Sequence, residues 1–290
     1  VPGQIAIIGS TGRNSAAWIE AFLAAGFTVR NLVRDPSAHL SRPGIACVAF
    51  DLNDHATYQP ALDGADLFAL VTPPDPRQTE RELALLEAAK ATKVPRILNL
   101  SVIGADLPAP ITPFARWQAA VEKALRESGV THVTLRPNGF MQNIPQQRAA
   151  IEAGRYVEPS GANAFALIDV RDIAAVAVAV AGGSHDGEAI DLTGSKAVTG
   201  AEIAEILTAA TQKPVTFVSP PIDAFRGALL DQGVALWRAD ALAEFYEATQ
   251  AGRAGHIARV NSNVEAIAGR PPRSLLDFAK ETFQPRRPES

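Results

Sequence analysis

Hydrophobic and polar positions in the first 140 residues switch repeatedly between a strand-like and a helix-like period. Residues 5–8, Ile-Ala-Ile-Ile, are a continuous apolar run that ends in a glycine-containing turn. Trp18, Ile19, Phe22 and Leu23 then recur at helical spacing, and Gly26 closes that helix where a left-handed φ is wanted. Residues 28–33 form a second β-rich run. A buried strand, a glycine turn, a helix and a parallel strand make a βαβ unit. The alternation continues with a strand at 45–50 ending at Asp51, and another at 65–71 stopped by Thr72-Pro73-Pro74. A helix at 77–92 carries Leu83, Leu85 and Leu86 on its core side, and a fifth strand follows at 96–100. A helix at 114–128 has Val121 and Leu125 on one face and ends at Gly129; residues 133–135 are a sixth strand.

Strands that alternate regularly with helices predict a single parallel sheet. The expected fold class is α/β: a doubly wound parallel Rossmann sheet over residues 1–143. After residue 143 the pattern breaks into shorter pieces around Pro145, Gly154, Pro159 and Gly161. Residues 165–170 read as a strand, 169–181 as a helix capped by Asp169, and 199–211 as another helix. A short strand at 215–218, helical patterns through 247 and a closing helix at 273–283 complete the chain. Residues 144–290 are therefore expected to form a smaller, mainly helical substrate lobe, with some segments returning to the sheet.

The first turn carries the candidate chemistry. It reads Gly9-Ser10-Thr11-Gly12-Arg13-Asn14-Ser15. Gly9 permits the tight bend. Gly12 lacks a Cβ, so a pyrophosphate can approach the backbone, and the following helix presents free N–H groups and a partial positive charge. Ser15 stands where a third glycine often packs helix on strand. The cofactor-binding set is Gly9, Ser10, Thr11, Gly12, Arg13 and Asn14, with Arg34 at the end of the second strand. An acidic residue there would select NAD through the ribose hydroxyls. A guanidinium at position 34 instead suits a 2′-phosphate and favours NADP (NADPH). Asp35 is one residue of register away. Later strand ends add Asp51 and Leu52 as adenine contacts and Thr72 and Pro73 as flanks of the nicotinamide.

Composition narrows the classes. The chain has 290 residues, 47% hydrophobic, with a formal charge of -4 at pH 7, and no basic stripe interleaved with aromatics, which argues against nucleic acid. The one cysteine, Cys47, lies in a strand-like run and is expected to be a buried, inert thiol. Five histidines show no ligand spacing, so no metal site is expected. The most apolar stretch, 173–181, is too short to span a bilayer, and no leader is expected before the first strand. A soluble, cytoplasmic protein acting on a small molecule, with no membrane partner, is expected. The oligomeric state is open, a homodimer among the options. The polar tail at 284–290 is expected to fray.

Together the motifs resemble the NmrA-like group of atypical short-chain dehydrogenases/reductases. The matching segments are the glycine turn, Leu32-Val33-Arg34-Asp35-Pro36, Leu100-Ser101-Val102-Ile103-Gly104, Thr134-Leu135-Arg136-Pro137-Asn138-Gly139-Phe140-Met141-Gln142-Asn143, Ile168-Asp169-Val170-Arg171-Asp172 and Gly269-Arg270-Pro271-Pro272-Arg273. The resemblance implies a Rossmann fold and NADP(H). It also implies one of two outcomes: reduction of quinones, dyes, imines or phenolic double bonds, or redox sensing without turnover. An isomerase or cyclase on the same fold is a third reading.

Two departures matter. The Tyr-x-x-x-Lys dyad of the larger superfamily is missing, because Tyr58, Tyr156 and Tyr246 are followed four residues later by Leu62, Ser160 and Gln250. Many NmrA-like reductases also keep a lysine four residues before the glutamate at position 122, where this chain has Gln118. Glutamine can hydrogen-bond a ribose but carries no charge. Hydride transfer then suits an acceptor that needs little acid help, such as a quinone or an iminium. The expected catalytic residues are Gln118, Ser101 and Asn138, with Ser101 and Gln118 also touching cofactor. The expected substrate-binding residues are Trp117, Phe140, Met141 and Asn143.

Overall fold

The computed structural model describes residues 3–9, 12–39 and 42–284. Ser10 and Thr11, two of the expected phosphate-turn residues, lie outside the described residues, as does the 285–290 tail. The strands are β1 Gln4–Ile8, β2 Thr28–Val33, β3 Ile45–Ala49, β4 Leu67–Leu70, β5 Arg96–Leu100 and β6 Thr131–Pro137, then β7 Arg155–Val157, β8 Ala164–Phe165, β9 Ala189–Leu192, β10 Val198–Thr199 and β11 Thr216–Val218. The helices are α1 Arg13–Ala24, α2 Tyr58–Leu62, α3 Gln78–Ala91, α4 Pro113–Ser128, α5 Arg148–Glu152 and α6 Val170–Val180, then α7 Gly200–Thr211, α8 Ile222–Asp231, α9 Leu236–Gln250, α10 Asn263–Ala268 and α11 Leu275–Phe283.

Seven strands pair in the order β3-β2-β1-β4-β5-β6-β9, every neighbour parallel. This is the doubly wound Rossmann order with one strand added beside β6. The apolar run of β1 has a direct cause. Ile5 and Ile7 pack with Trp18, Phe22 and the α6 residues Ile173 and Ala177, while Ala6 and Ile8 pack with Phe68, Leu85 and Leu86 on the other side. A strand covered on both faces has no place for a polar residue.

The later part of the chain does return to the sheet. α6, capped by the Asp169 carboxylate on Arg171 N at 2.8 Å, packs against α1, and β9 extends the sheet beyond β6. The expected 165–170 strand is cut to two residues. Ala166 N instead donates to Ile257 O and Ile168 N to Gly139 O, both at 2.9 Å, so loops take the backbone groups a ladder would need. β6 runs longer than its apolar core because β5 and β9 flank it and hold polar Thr131 and Arg136 in register. Cys47 is half-buried rather than buried: β3 is an edge strand, and its Sγ accepts from Asn31 Nδ2 at 3.8 Å. No described helix is long and apolar enough to cross a membrane.

Candidate functional site

The strand order reverses between β1 and β4, so their carboxyl ends open the crevice where doubly wound folds take ligands. The turn after β1 is the expected phosphate site. Gly9 has φ +66, a left-handed conformation costly for residues with a Cβ. Gly12 precedes α1 with φ -76 and ψ 140, and among the described residues no side chain caps the helix or places an acid in its first turn. The first-turn N–H groups therefore keep their capacity for a ligand. Ser15, in the third-glycine position, is buried and its Oγ donates to Ile8 O at 2.8 Å, so the serine ties helix to strand. Asn14 has a buried Oδ1 with no partner among the described residues. Arg13 Nη1 donates to Gln142 O and Asn143 Oδ1, both at 3.1 Å, which joins the turn to the segment after β6.

At the end of β2, Arg34 is exposed and outside the ion pairs found among the described residues. Asp35 does not compete for the same ligand. Its carboxylate accepts from Ser37 N at 2.9 Å and Ser37 Oγ at 2.6 Å, which hold it below the usual carboxylate range. An α1 start without a side-chain cap among the described residues, the bare Gly12 and an exposed Arg34 guanidinium together fit a dinucleotide with a 2′-phosphate.

The ends of β4 and β5 are tied to α3 and α4. Glu82 on α3 is fully buried. Its carboxyl accepts from Thr72 Oγ1, from Gln78 Nε2 at 3.0 Å and from Gln118 Nε2 at 3.1 Å. Burial, partly offset by these three donors, pushes its pKa up to about 7. One turn beyond Gln118, Glu122 accepts from Ser101 Oγ at 2.6 Å and from Arg136 through two nitrogens at 2.9 and 2.5 Å. Asp106 adds an ion pair to Arg136 at 2.9 Å. Successive turns of α4 thus hold the rims of β4 and β5.

The other expected residues fall into different settings. Gln118 is 4% exposed and points its amide nitrogen at Glu82, with Oε1 buried and unpartnered, so its contact with the crevice is smaller than its sequence position suggests. Asn138 is 3% exposed and bound at both amide ends: Nδ2 donates to Ile257 O and Oδ1 accepts from Gly139 N, each at 2.7 Å, so burial and these bonds hold it to the backbone. Met141 is 2% exposed, packs with Ile144 and Ile151, and lines a small cavity with Leu167, Val198 and Leu275, away from the β1–β4 crevice. Asn143 serves the Arg13 contact. Asp51 Oδ1 accepts from Asn53 N at 2.8 Å, and Leu52 O accepts from Tyr58 OH at 2.9 Å, so both shape the turn after β3. Pro73 is exposed beside half-buried Thr72, and Phe140 is partly buried against the sheet.

Trp117 belongs to an aromatic group that bridges the two lobes. Its ring lies 5.6 Å from Phe114 and 5.9 Å from Trp237 of α9. The residues not anticipated are Trp237 and Glu82. Glu82 left a signal: Gln78, Glu82, Leu85 and Ala89 share the buried face of α3, so the helical period placed two polar residues at core positions. Among the tyrosines, Tyr58 is bound to Leu52 O and Tyr246 donates to Glu158 at 3.0 Å.

The raised Glu82 pKa makes a stability prediction. Between the ordinary glutamate value of 4.5 and about 7, the folded chain holds a proton that the unfolded chain has released. Stability therefore falls as pH rises through this window, by at most about 3 kcal/mol, and the cost is absent below it. Urea midpoints at pH 5 and pH 8 are expected to drop less in Glu82→Gln than in the unmutated protein; equal drops would contradict it.

A family model described as the NmrA-like family matches residues 2–267. The NAD(P)H azoreductase of Xenophilus azovorans is 33% identical over 281 residues, covering 96% of this chain and 97% of that protein. Quinone oxidoreductase 2 of Escherichia coli (strain K12) is 27% identical, covering 97% of this chain and 99% of that one. The crystal structure of the NADPH-dependent quinone oxidoreductase of Escherichia coli complexed with NADPH matches with a TM-score of 0.85 at 26% identity, over 97% of this chain and all of that one.

Proposed function

The chain belongs to the NmrA-like family, and on that footing we propose that it is an NADPH-dependent reductase of a small conjugated or activated acceptor such as a quinone, an azo dye or an imine. The observation that carries this is the start of α1 behind Gly12, uncapped by any described side chain, with an exposed guanidinium at Arg34. The α1 N-terminus takes the pyrophosphate and Arg34 the 2′-phosphate. The bound NADPH would supply a hydride and its two electrons. Thr72 and Ser101 mark the rims against which the nicotinamide half rests. Trp117, Phe114 and Trp237 offer ring faces to a flat acceptor, and such an offset or edge arrangement favours aromatic partners.

The experiment is direct. Purified protein is mixed with NADPH and a panel of quinones, azo dyes and imines, and absorbance of the reduced cofactor is followed. Oxidation above background with at least one class is expected. Tight NADPH binding with no oxidation across the panel would instead favour a cofactor-binding sensor.

A further inference from the structure

Glu82 is a fully buried carboxyl with no cation to balance it. An isolated buried carboxylate is costly, and a fold that keeps one usually keeps it protonated or uses it. Among the described residues, every side chain that hydrogen-bonds Glu82 is neutral: Thr72, Gln78 and Gln118. The charges on the elements packed around it are engaged elsewhere. On α3, Arg81 pairs with Asp75 at 2.7 Å and donates to Asn53, and Arg77 pairs with Glu80. On α4, Glu122 is held by Arg136 and Ser101. On α2, Tyr58 donates to Leu52 O.

One of the three partners is less buried than the others. Thr72 is half-buried, two residues past the end of β4 on the crevice side, and its Oγ1 donates to Glu82 Oε1 and accepts from Gln78 Nε2, the latter at 3.3 Å. A hydroxyl can pass one proton on while it receives another. Gln118 cannot do this, because its amide gives no readily transferred proton. The buried acid therefore has one ionisable path to the crevice, and it runs through Thr72.

We infer that Glu82 and Thr72 form a proton relay that completes the reduction, in the role that the absent Tyr-x-x-x-Lys pair would otherwise fill. The relay presupposes the nicotinamide site proposed above. As the acceptor takes the hydride it gains a basic nitrogen or oxygen. The Thr72 Oγ–H bond breaks and a new bond forms between that proton and the acceptor atom. For this the Thr72 hydroxyl turns its proton from Glu82 to the acceptor, and Thr72 Oγ takes the Glu82 carboxyl proton, leaving a carboxylate that solvent reprotonates once product has left. The balance is acceptor plus NADPH plus one proton giving reduced acceptor plus NADP+. Glu82 acts through Thr72 and is a positioning residue; Thr72 is the group that meets the acceptor. Burial lifts the Glu82 pKa to about 7, which suits an acid working at neutral pH.

The test has a readout that needs no turnover. In pH-difference infrared spectra of the cofactor-free protein, a protonated carboxyl band is expected to titrate near pH 7. It should be missing in Glu82→Gln. In Thr72→Val it should titrate at higher pH, since a donor that favours the ionised form is gone. A Glu82 already ionised at pH 5, or a midpoint indifferent to Thr72→Val, would overturn the relay. With an azo dye, turnover of the unmutated protein should fall as pH rises through about 7. Glu82→Gln and Thr72→Val should each lower kcat at least about tenfold and lose that limb, with the NADPH dissociation constant within about threefold. Thr72→Ser should restore the limb. An unchanged pH profile in Glu82→Gln, with NADPH still bound and oxidised, would defeat the relay alone. Failure of the unmutated protein to oxidise bound NADPH would defeat both the reductase assignment and the relay. If Thr72→Val does not fold, the Glu82→Gln profile and infrared band decide.

Discussion

Gly12→Val is expected to abolish NADPH binding while the fold survives. Two features of position 12 separate these effects. Its backbone sits at φ -76 and ψ 140, an extended conformation that valine adopts readily. A Cβ there meets only Ser15 Oγ at 3.5 Å, Ser15 Cβ at 3.9 Å and Gly9 O at 4.0 Å, all ordinary contacts. The glycine is therefore not needed by the apo fold, and losing a flexible residue from the unfolded chain offsets part of any cost. What it leaves open is the approach to the first turn of α1. An isopropyl group there stands where a pyrophosphate must reach the helix N–H groups. At least a hundredfold weaker NADPH binding is expected, about 2.7 kcal/mol, with a melting temperature within a few degrees. Titration calorimetry and thermal melts check the two halves. An unchanged dissociation constant would refute the phosphate turn. Gly9 provides the contrast: it has φ +66 but no atom within 4 Å of an added Cβ, so Gly9→Ala is expected to cost stability, about 1–2 kcal/mol, through backbone strain and not through a clash.

That contrast shows which features the sequence carried. The βαβ unit was legible because β1 is apolar on both faces and α1 has a strong helical period, and both follow from burial alone. β9 was not. Its four residues, with polar Asp191 inside, form a strand only because β6 offers an unpaired edge beside them. Local pattern cannot report a partner supplied from fifty residues away. The same limit applies to side chains. Asn138 looked available because its neighbours resemble a ligand-lining turn, yet a carbonyl at residue 257 takes its amide. Gln118 was identified by position, but its orientation depends on Glu82, thirty-six residues earlier. Glu82 itself could have been found by asking why a helix with a leucine face puts a glutamate on it.

Arg34→Ala is expected to weaken NADPH by roughly ten- to a hundredfold while NADH changes less than about twofold. The difference follows from what each ligand presents at the end of β2. A guanidinium and a phosphate form paired, charge-assisted hydrogen bonds, each of about 1.5–3 kcal/mol. NADH has a hydroxyl at that position and offers no anion to lose. Three facts favour Arg34 over its neighbours as the phosphate ligand. It is exposed and is not held by another carboxylate among the described residues, so no internal ion pair must break first. The adjacent Asp35 is turned into the Ser37 turn, which removes the residue that could have selected NAD through the ribose hydroxyls. Arg13, the other cation of the turn, already spends one nitrogen on Gln142 and Asn143. Arg34→Lys separates charge from geometry: an ammonium keeps the attraction and loses the two-pronged contact, so an intermediate NADPH affinity is expected. Fluorescence titrations of the three proteins with both cofactors give the ratio directly. Equal losses for NADPH and NADH in Arg34→Ala would place the 2′-phosphate elsewhere. An unchanged ratio with both cofactors still bound tightly would mean that the crevice reads the ribose with groups other than this arginine.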